Sequence, residues 1–70
     1  MGKITLNVGD KLIPVFSSTI SHFEVLSIDR PNNSLKVRCV YLVNGYSHEE
    51  HWDDLDVTEN ALEIGEYVLI

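Results

Sequence analysis

The chain has a single cysteine, Cys39, so no internal disulfide can staple it. That composition suits a reducing compartment. Cys39 lies in a run of valines and a tyrosine, which predicts a small buried hydrophobe rather than a catalytic thiol. Basic residues are also few: 5 Lys and Arg against 11 Asp and Glu, a formal net charge of −6. Lys3, Lys11, Arg30, Lys36 and Arg38 are dispersed rather than clustered. Affinity for nucleic acid rests largely on cations that neutralise phosphates, so the balance argues against a nucleic-acid partner. No apolar run approaches the ~20 residues of a membrane-spanning helix. The stretch Met1–Leu6 lacks the long apolar region of a signal peptide. Leu6 also stands where the myristoylation pattern needs Ser or Thr. A soluble, cytoplasmic protein without membrane contact is the expectation. A Gly-rich phosphate loop is missing too. Ser17, Ser18, Ser21 and His22 supply reactive residue types without the spacing of a nucleophile and its base. Neither catalysis nor a cofactor is expected.

What is present reads as β structure. The 70 residues suffice for one domain, 1–70, with a thin core. Asn44-Gly45 stands between two runs of strand-forming residues. A two-residue hairpin turn of type I′ needs positive φ at both positions, which Asn and Gly tolerate best. With that pair as the whole loop, Val43 faces Tyr46, Tyr41 faces His48, Cys39 faces Glu50 and Val37 faces Trp52. On the other face Arg38 meets His51, Lys36 meets Asp53, and the two cations lie near Glu49 and Asp53. Side chains alternate between faces. The face with Val37, Cys39, Tyr41 and Trp52 should therefore cover the core, and the charged face should meet water. His48 and Glu50 interrupt the apolar face. Either the ribbon bends away there or the two line a functional surface.

Around this ribbon the chain reads as short strands. Lys3–Val8 alternates as a half-buried strand. Val8-Gly9-Asp10 is a turn into a second extended piece, Lys11–Phe16. Pro14 confines that piece to an edge or makes it irregular. Ser17–Ser21 is a loop. His22–Asp29 buries Phe23, Val25 and Ile28 together only if a bulge near Leu26-Ser27 inserts one residue. Arg30-Pro31-Asn32-Asn33 fits a type I turn, so His22–Trp52 forms a three-stranded meander. Asp53–Val57 suits a single helical turn. Thr58–Leu62 reads as a loop or brief helix capped by Thr58. Gly65 marks a turn. Tyr67–Ile70 is a closing strand that pairs with the first strand or with a meander edge. Val40 and Leu42, on the charged face, want a cover from that strand or from a second copy of the chain.

His48-Glu49-Glu50-His51 has the composition of a metal motif. In a strand, however, His48 and His51 point to opposite faces. The same-face pair His48 and Glu50 needs ligands from elsewhere, and no metal is expected. Tyr41, Tyr46, His48 and Glu50 share the ribbon face near the turn and form the candidate interaction surface. Cross-strand aromatic packing is the competing account of the same residues.

Three stretches together, Val8-Gly9-Asp10-Lys11-Leu12, Phe23-Glu24-Val25 running to Ile28-Asp29, and Trp52-Asp53-Asp54-Leu55, resemble the Tudor-like small β-barrels of the Src-homology type. The resemblance covers most of the chain as pattern rather than motif. It implies a strongly bent antiparallel barrel or roll of five to six strands, with a short helical turn before the last. Some such domains hold methylated lysine or arginine in an aromatic cage, but no cage residue carries over position by position. Phe23 and Trp52 are assigned to the core. The expected function is a non-catalytic module that binds a basic or extended peptide or a partner protein. Alternatives are a nucleic-acid-associated accessory domain and a structural subunit, either monomer or homodimer.

Overall fold

The computed structural model describes residues 4–70. Five strands form one antiparallel sheet: β1 (Lys11–Pro14), β2 (Ile20–Asp29), β3 (Ser34–Tyr41), β4 (Ser47–Trp52) and β5 (Tyr67–Leu69). One helix, α1 (Leu55–Glu63), precedes the last strand. The strand order is β4-β3-β2-β1-β5. β2, β3 and β4 are the expected meander, and β5 closes on β1.

The sheet is an open roll, not a closed barrel. No ladder joins β4 to β5 among the described residues. It is nevertheless sharply curled. Strands lie about 4.8 Å apart, so a flat sheet would hold its two edge strands roughly 19 Å from each other. Yet the Trp52 ring on β4 and the Tyr67 ring on β5 lie 6.3 Å apart, centroid to centroid. The curl follows from β2. Val25 faces Val37 and Ser27 faces Lys36, which leaves Leu26 as the extra residue of the expected bulge. Phe23 and Val25 are buried, and Ile28 packs against the same core. A second irregularity falls at Ser21. Leu6, Leu12, Leu35, Val37, Cys39, Leu55 and Leu62 complete the interior.

The Asn-Gly corner forms as expected. Asn44 and Gly45 both adopt φ 62°, and the Tyr46 N–H reaches the Val43 carbonyl at 3.4 Å. The register beyond it differs by two residues. Val37 faces Glu50, Cys39 faces His48, Leu35 faces Trp52 and Arg38 faces Glu49. The cause is at the loop. The Tyr41 N–H donates to the Tyr46 carbonyl, while the Leu42 N–H turns to the Thr19 carbonyl at 3.0 Å. Leu42 and Val43 therefore lie outside the β3–β4 ladder. A shift of two preserves the faces, because side chains alternate with period two. On the outer face Glu49 meets Lys36 at 3.7 Å and Arg38 at 3.9 Å, and Arg38 also reaches Glu24 at 3.2 Å. Asp53 instead contacts His51. Leu42 is exposed, and β5 lies at the far edge of the sheet, so the terminal strand does not cover it.

Residues 4–8 are not a strand; Lys3 lies outside the described residues. Side chains take the backbone donors there. The Leu6 N–H donates to Glu59 Oε2 at 2.8 Å, and the Asn7 N–H to Asp10 Oδ2 at 2.8 Å. Leu6 is buried, whereas Val8 is exposed. β1 is not an edge strand, since β2 and β5 flank it. Pro14 fits there because the Val15 N–H donates to Glu66 on the β5 side. By alternation the Pro14 nitrogen faces β2, where the β1–β2 pairing has ended after Leu12.

The segment after Trp52 is one helix, not a lone turn followed by a second short piece. Leu55, Thr58, Glu59, Ala61 and Leu62 are buried, the one-sided spacing of a helix laid on a core. Thr58 is interior, and its hydroxyl donates to the Asp54 carbonyl. The N-terminal cap comes from elsewhere in the chain. Asn33, at φ 54° in the β2–β3 turn, accepts the Leu55 N–H on its carbonyl at 3.0 Å and the Asp56 N–H on its Oδ1 at 2.9 Å. At the other end Gly65 takes φ 84°. The Glu66 N–H returns to Ala61 and the Gly65 N–H to Leu62, the paired bonds of a Schellman ending. Glu59 then binds the helix to the rest. It pairs with Arg30 at 2.8 Å, and Arg30 also donates to the Leu6 carbonyl at 3.2 Å.

Candidate functional site

The curl brings the end of β1, the end of β4, the start of α1 and the start of β5 around one pocket of about 210 Å³. Its aromatic walls are Phe16, Trp52 and Tyr67, with Val57 and Ala61 from the helix; Asp54 and Glu66 border it. Phe16 meets Tyr67 edge to face at 5.6 Å, and Trp52 stacks near Tyr67. Phe23 closes the inner side, 4.9 Å from Trp52 and 6.0 Å from Tyr67. Trp52 is thus only partly a core residue: one part packs on Phe23 and another faces the pocket. Trp52 and Tyr67 are held by secondary structure, while Phe16 lies in the turn just after β1. Tyr67 pairs with Pro14 across β1 and β5, and Trp52 pairs with Leu35 across β3 and β4.

The electrostatics of this pocket are negative. The Tyr67 phenol is pushed above its ordinary range, first by burial and then by the charges of Asp54, Glu66 and Glu50. A cation placed against these rings would meet the electron-rich faces of the aromatics and two carboxylates at the rim. The pocket was legible only faintly. An acidic residue stands next to an aromatic in both Trp52-Asp53-Asp54 and Glu66-Tyr67, but no spacing shows that the two ends meet.

The ribbon-face residues are brought together as well. Tyr41 lies 5.6 Å from Tyr46 and 5.5 Å from His48, and Tyr46 lies 6.2 Å from His48, ring to ring. Burial falls along this face from Val37 and Cys39 through half-buried Tyr41 to exposed Tyr46, so the ribbon runs out past the core. Glu50 is engaged from both sides. Its Oε1 accepts the Trp52 Nε1–H at 2.9 Å, and its Oε2 lies 2.5 Å from His48 Nε2. These bonds, the Trp52 one foremost, hold the Glu50 carboxyl below its usual range against the opposing effect of burial. Burial raises the Cys39 thiol, with a hydrogen bond from Tyr41 acting the other way and the Glu50 charge adding to the rise. Hydrogen bonding with Cys39 is in turn the chief cause that raises the Tyr41 phenol. A thiol held protonated in this way is a poor nucleophile.

No helix among the described residues is long and apolar enough to cross a membrane. Comparison with protein-family models, with curated proteins and with solved structures finds no match to this chain.

Proposed function

We propose that this domain is a non-catalytic interaction module. It receives a lysine or arginine side chain of a basic peptide in the pocket between Phe16, Trp52 and Tyr67. The observation that carries this reading is the convergence of three aromatic rings and the carboxylates of Asp54 and Glu66 on one small concavity. Cation–π attraction contributes about 0.5–2 kcal/mol, the upper end when the cation is desolvated. The net charge of −6 adds a longer-range pull on a basic partner and works against a nucleic-acid one. An antiparallel five-stranded sheet with a helix before its last strand supports the Tudor-like reading at the level of pattern alone, and such modules occur in that group. The Tyr41, Tyr46 and His48 face is a secondary contact surface in this reading, because its rings already pack on one another.

Titration of the labelled domain with Lys- and Arg-rich peptides tests the proposal, with an acidic peptide as control. The expected result is a shift of the Trp52 indole and Tyr67 signals with the basic peptides only. Weakening of several-fold is expected in the Asp54→Asn, Glu66→Gln double variant and on raising salt. Binding that leaves Trp52 and Tyr67 unmoved, or that is indifferent to both carboxylates, overturns the proposal.

A second reading, self-association, draws on the other edge of the sheet. Val68, Leu69 and Ile70 stay exposed although β5 is paired on one side. Sedimentation of the wild type against a Val68→Lys variant distinguishes a β5-edged dimer from a monomer.

A further inference from the structure

Cys39 on β3 stands directly opposite His48 on β4, and Glu50 follows His48 by two residues. All three side chains therefore leave the sheet on the same face. The Cys39 sulfur, an imidazole nitrogen of His48 and a carboxylate oxygen of Glu50 all lie within 4.8 Å of one another. We infer that Cys39, His48 and Glu50 form a binding site for a zinc-class divalent ion, with a fourth coordination position turned toward solvent.

The spacing fits such an ion. Zinc bonds of about 2.0–2.3 Å to N, O and S in a tetrahedron separate the donor atoms by roughly 3.4–3.6 Å. The His48–Glu50 contact at 2.5 Å opens by roughly 1 Å as the ion enters between them. The donor set selects the metal. One thiolate, one imidazole and one carboxylate suit a borderline-soft ion, whereas calcium and magnesium need a shell of oxygens. The thiol proton leaves to solvent when sulfur takes the ion.

The surroundings are those of a supported site. Cys39 is the buried floor, and the half-exposed side chains of His48 and Glu50, 33% and 38% accessible, leave a way in. The second oxygen of Glu50 is fixed by the Trp52 indole N–H, and the His48 ring is braced by Tyr41 and Tyr46. Outer partners of this kind orient ligands and raise affinity. The inference goes beyond the peptide pocket and does not depend on it.

The test is titration of the reduced full chain with Co²⁺ and Zn²⁺. One equivalent of Co²⁺ should produce a thiolate charge-transfer band in the near ultraviolet, which Zn²⁺ then displaces. Quenching or shift of the single tryptophan's emission should follow the same curve. Cys39→Ser should abolish the band. His48→Gln and Glu50→Gln, at half-exposed positions that leave the core intact, should each weaken Zn²⁺ at least tenfold, while His51→Gln on the opposite face leaves it unchanged. Co²⁺ binding without the thiolate band overturns the inference, as does retention of Zn²⁺ affinity in His48→Gln or Glu50→Gln, or its loss in His51→Gln. Should Cys39→Ser fail to fold, the His48 and Glu50 variants decide alone.

Discussion

Glu59 places a carboxylate inside the molecule, where it accepts the Leu6 N–H and pairs with Arg30. Both acceptor oxygens are in use, because Arg30 reaches Oε1 at 3.3 Å and Oε2 at 2.8 Å. Glu59→Gln keeps the shape but replaces one acceptor with an amide donor that must face another donor. A loss of about 1–3 kcal/mol is expected, read as a lower urea midpoint at unchanged slope. The figure stays modest because Arg30 remains half in water, where a charge pair is screened. Glu50 makes a pH-dependent contribution. The folded state favours its ionised form, so its stabilising effect is fully present above the unfolded-state value. That effect disappears as pH falls through the lowered folded-state value. Acid should therefore destabilise the wild type more steeply than Glu50→Gln below the usual carboxylate range. Thermal melts at pH 7 and pH 3 check this: the gap between the two proteins should narrow on acidification. Neither role was readable from the sequence. Glu50 and Glu59 are two of eleven acidic residues, and nothing local tells a carboxylate with two donors aimed at it from one in water.

Among the elements, turns were legible and their consequences less so. Asn44-Gly45 and Arg30–Asn33 follow from backbone preferences that belong to the residues themselves, and the Leu26 bulge from the need to bury Phe23, Val25 and Ile28 on one face. The two-residue slip of β3 against β4 does not. It depends on Leu42 finding the Thr19 carbonyl, a partner more than twenty positions away. The N-terminal segment misled for the same reason. Ile4, Leu6 and Val8 alternate as a strand does, but Glu59, 53 positions away, claims the Leu6 amide, and nearby Asp10 takes that of Asn7. At the end of α1, Gly65 has open space where a β-carbon would sit, so only its positive φ opposes substitution. Gly65→Ala should cost about 1–2 kcal/mol through that backbone strain. Gly65→Asn should cost less, since Asn tolerates the left-handed region. Chemical denaturation of the two variants supplies the comparison.

For the whole molecule, the sheet's curvature is what makes a site out of a pattern. Phe16 in the turn after β1, Trp52 on β4 and Tyr67 on β5 are spread over about fifty residues, and only the roll assembles them. The fold class and meander followed from period-two alternation and turn chemistry, whereas the pocket is a property of closure and has no local code. Asn33 adds a temporal consequence to this architecture. The first amides of α1 are satisfied by a residue in the loop between β2 and β3, and the helix spans only nine residues. A segment that short is marginal by itself in water. The helix thus waits for the β2–β3 hairpin. Mutations inside α1 should speed unfolding while leaving the refolding rate nearly untouched, and a peptide of residues 54–64 should be random coil by circular dichroism.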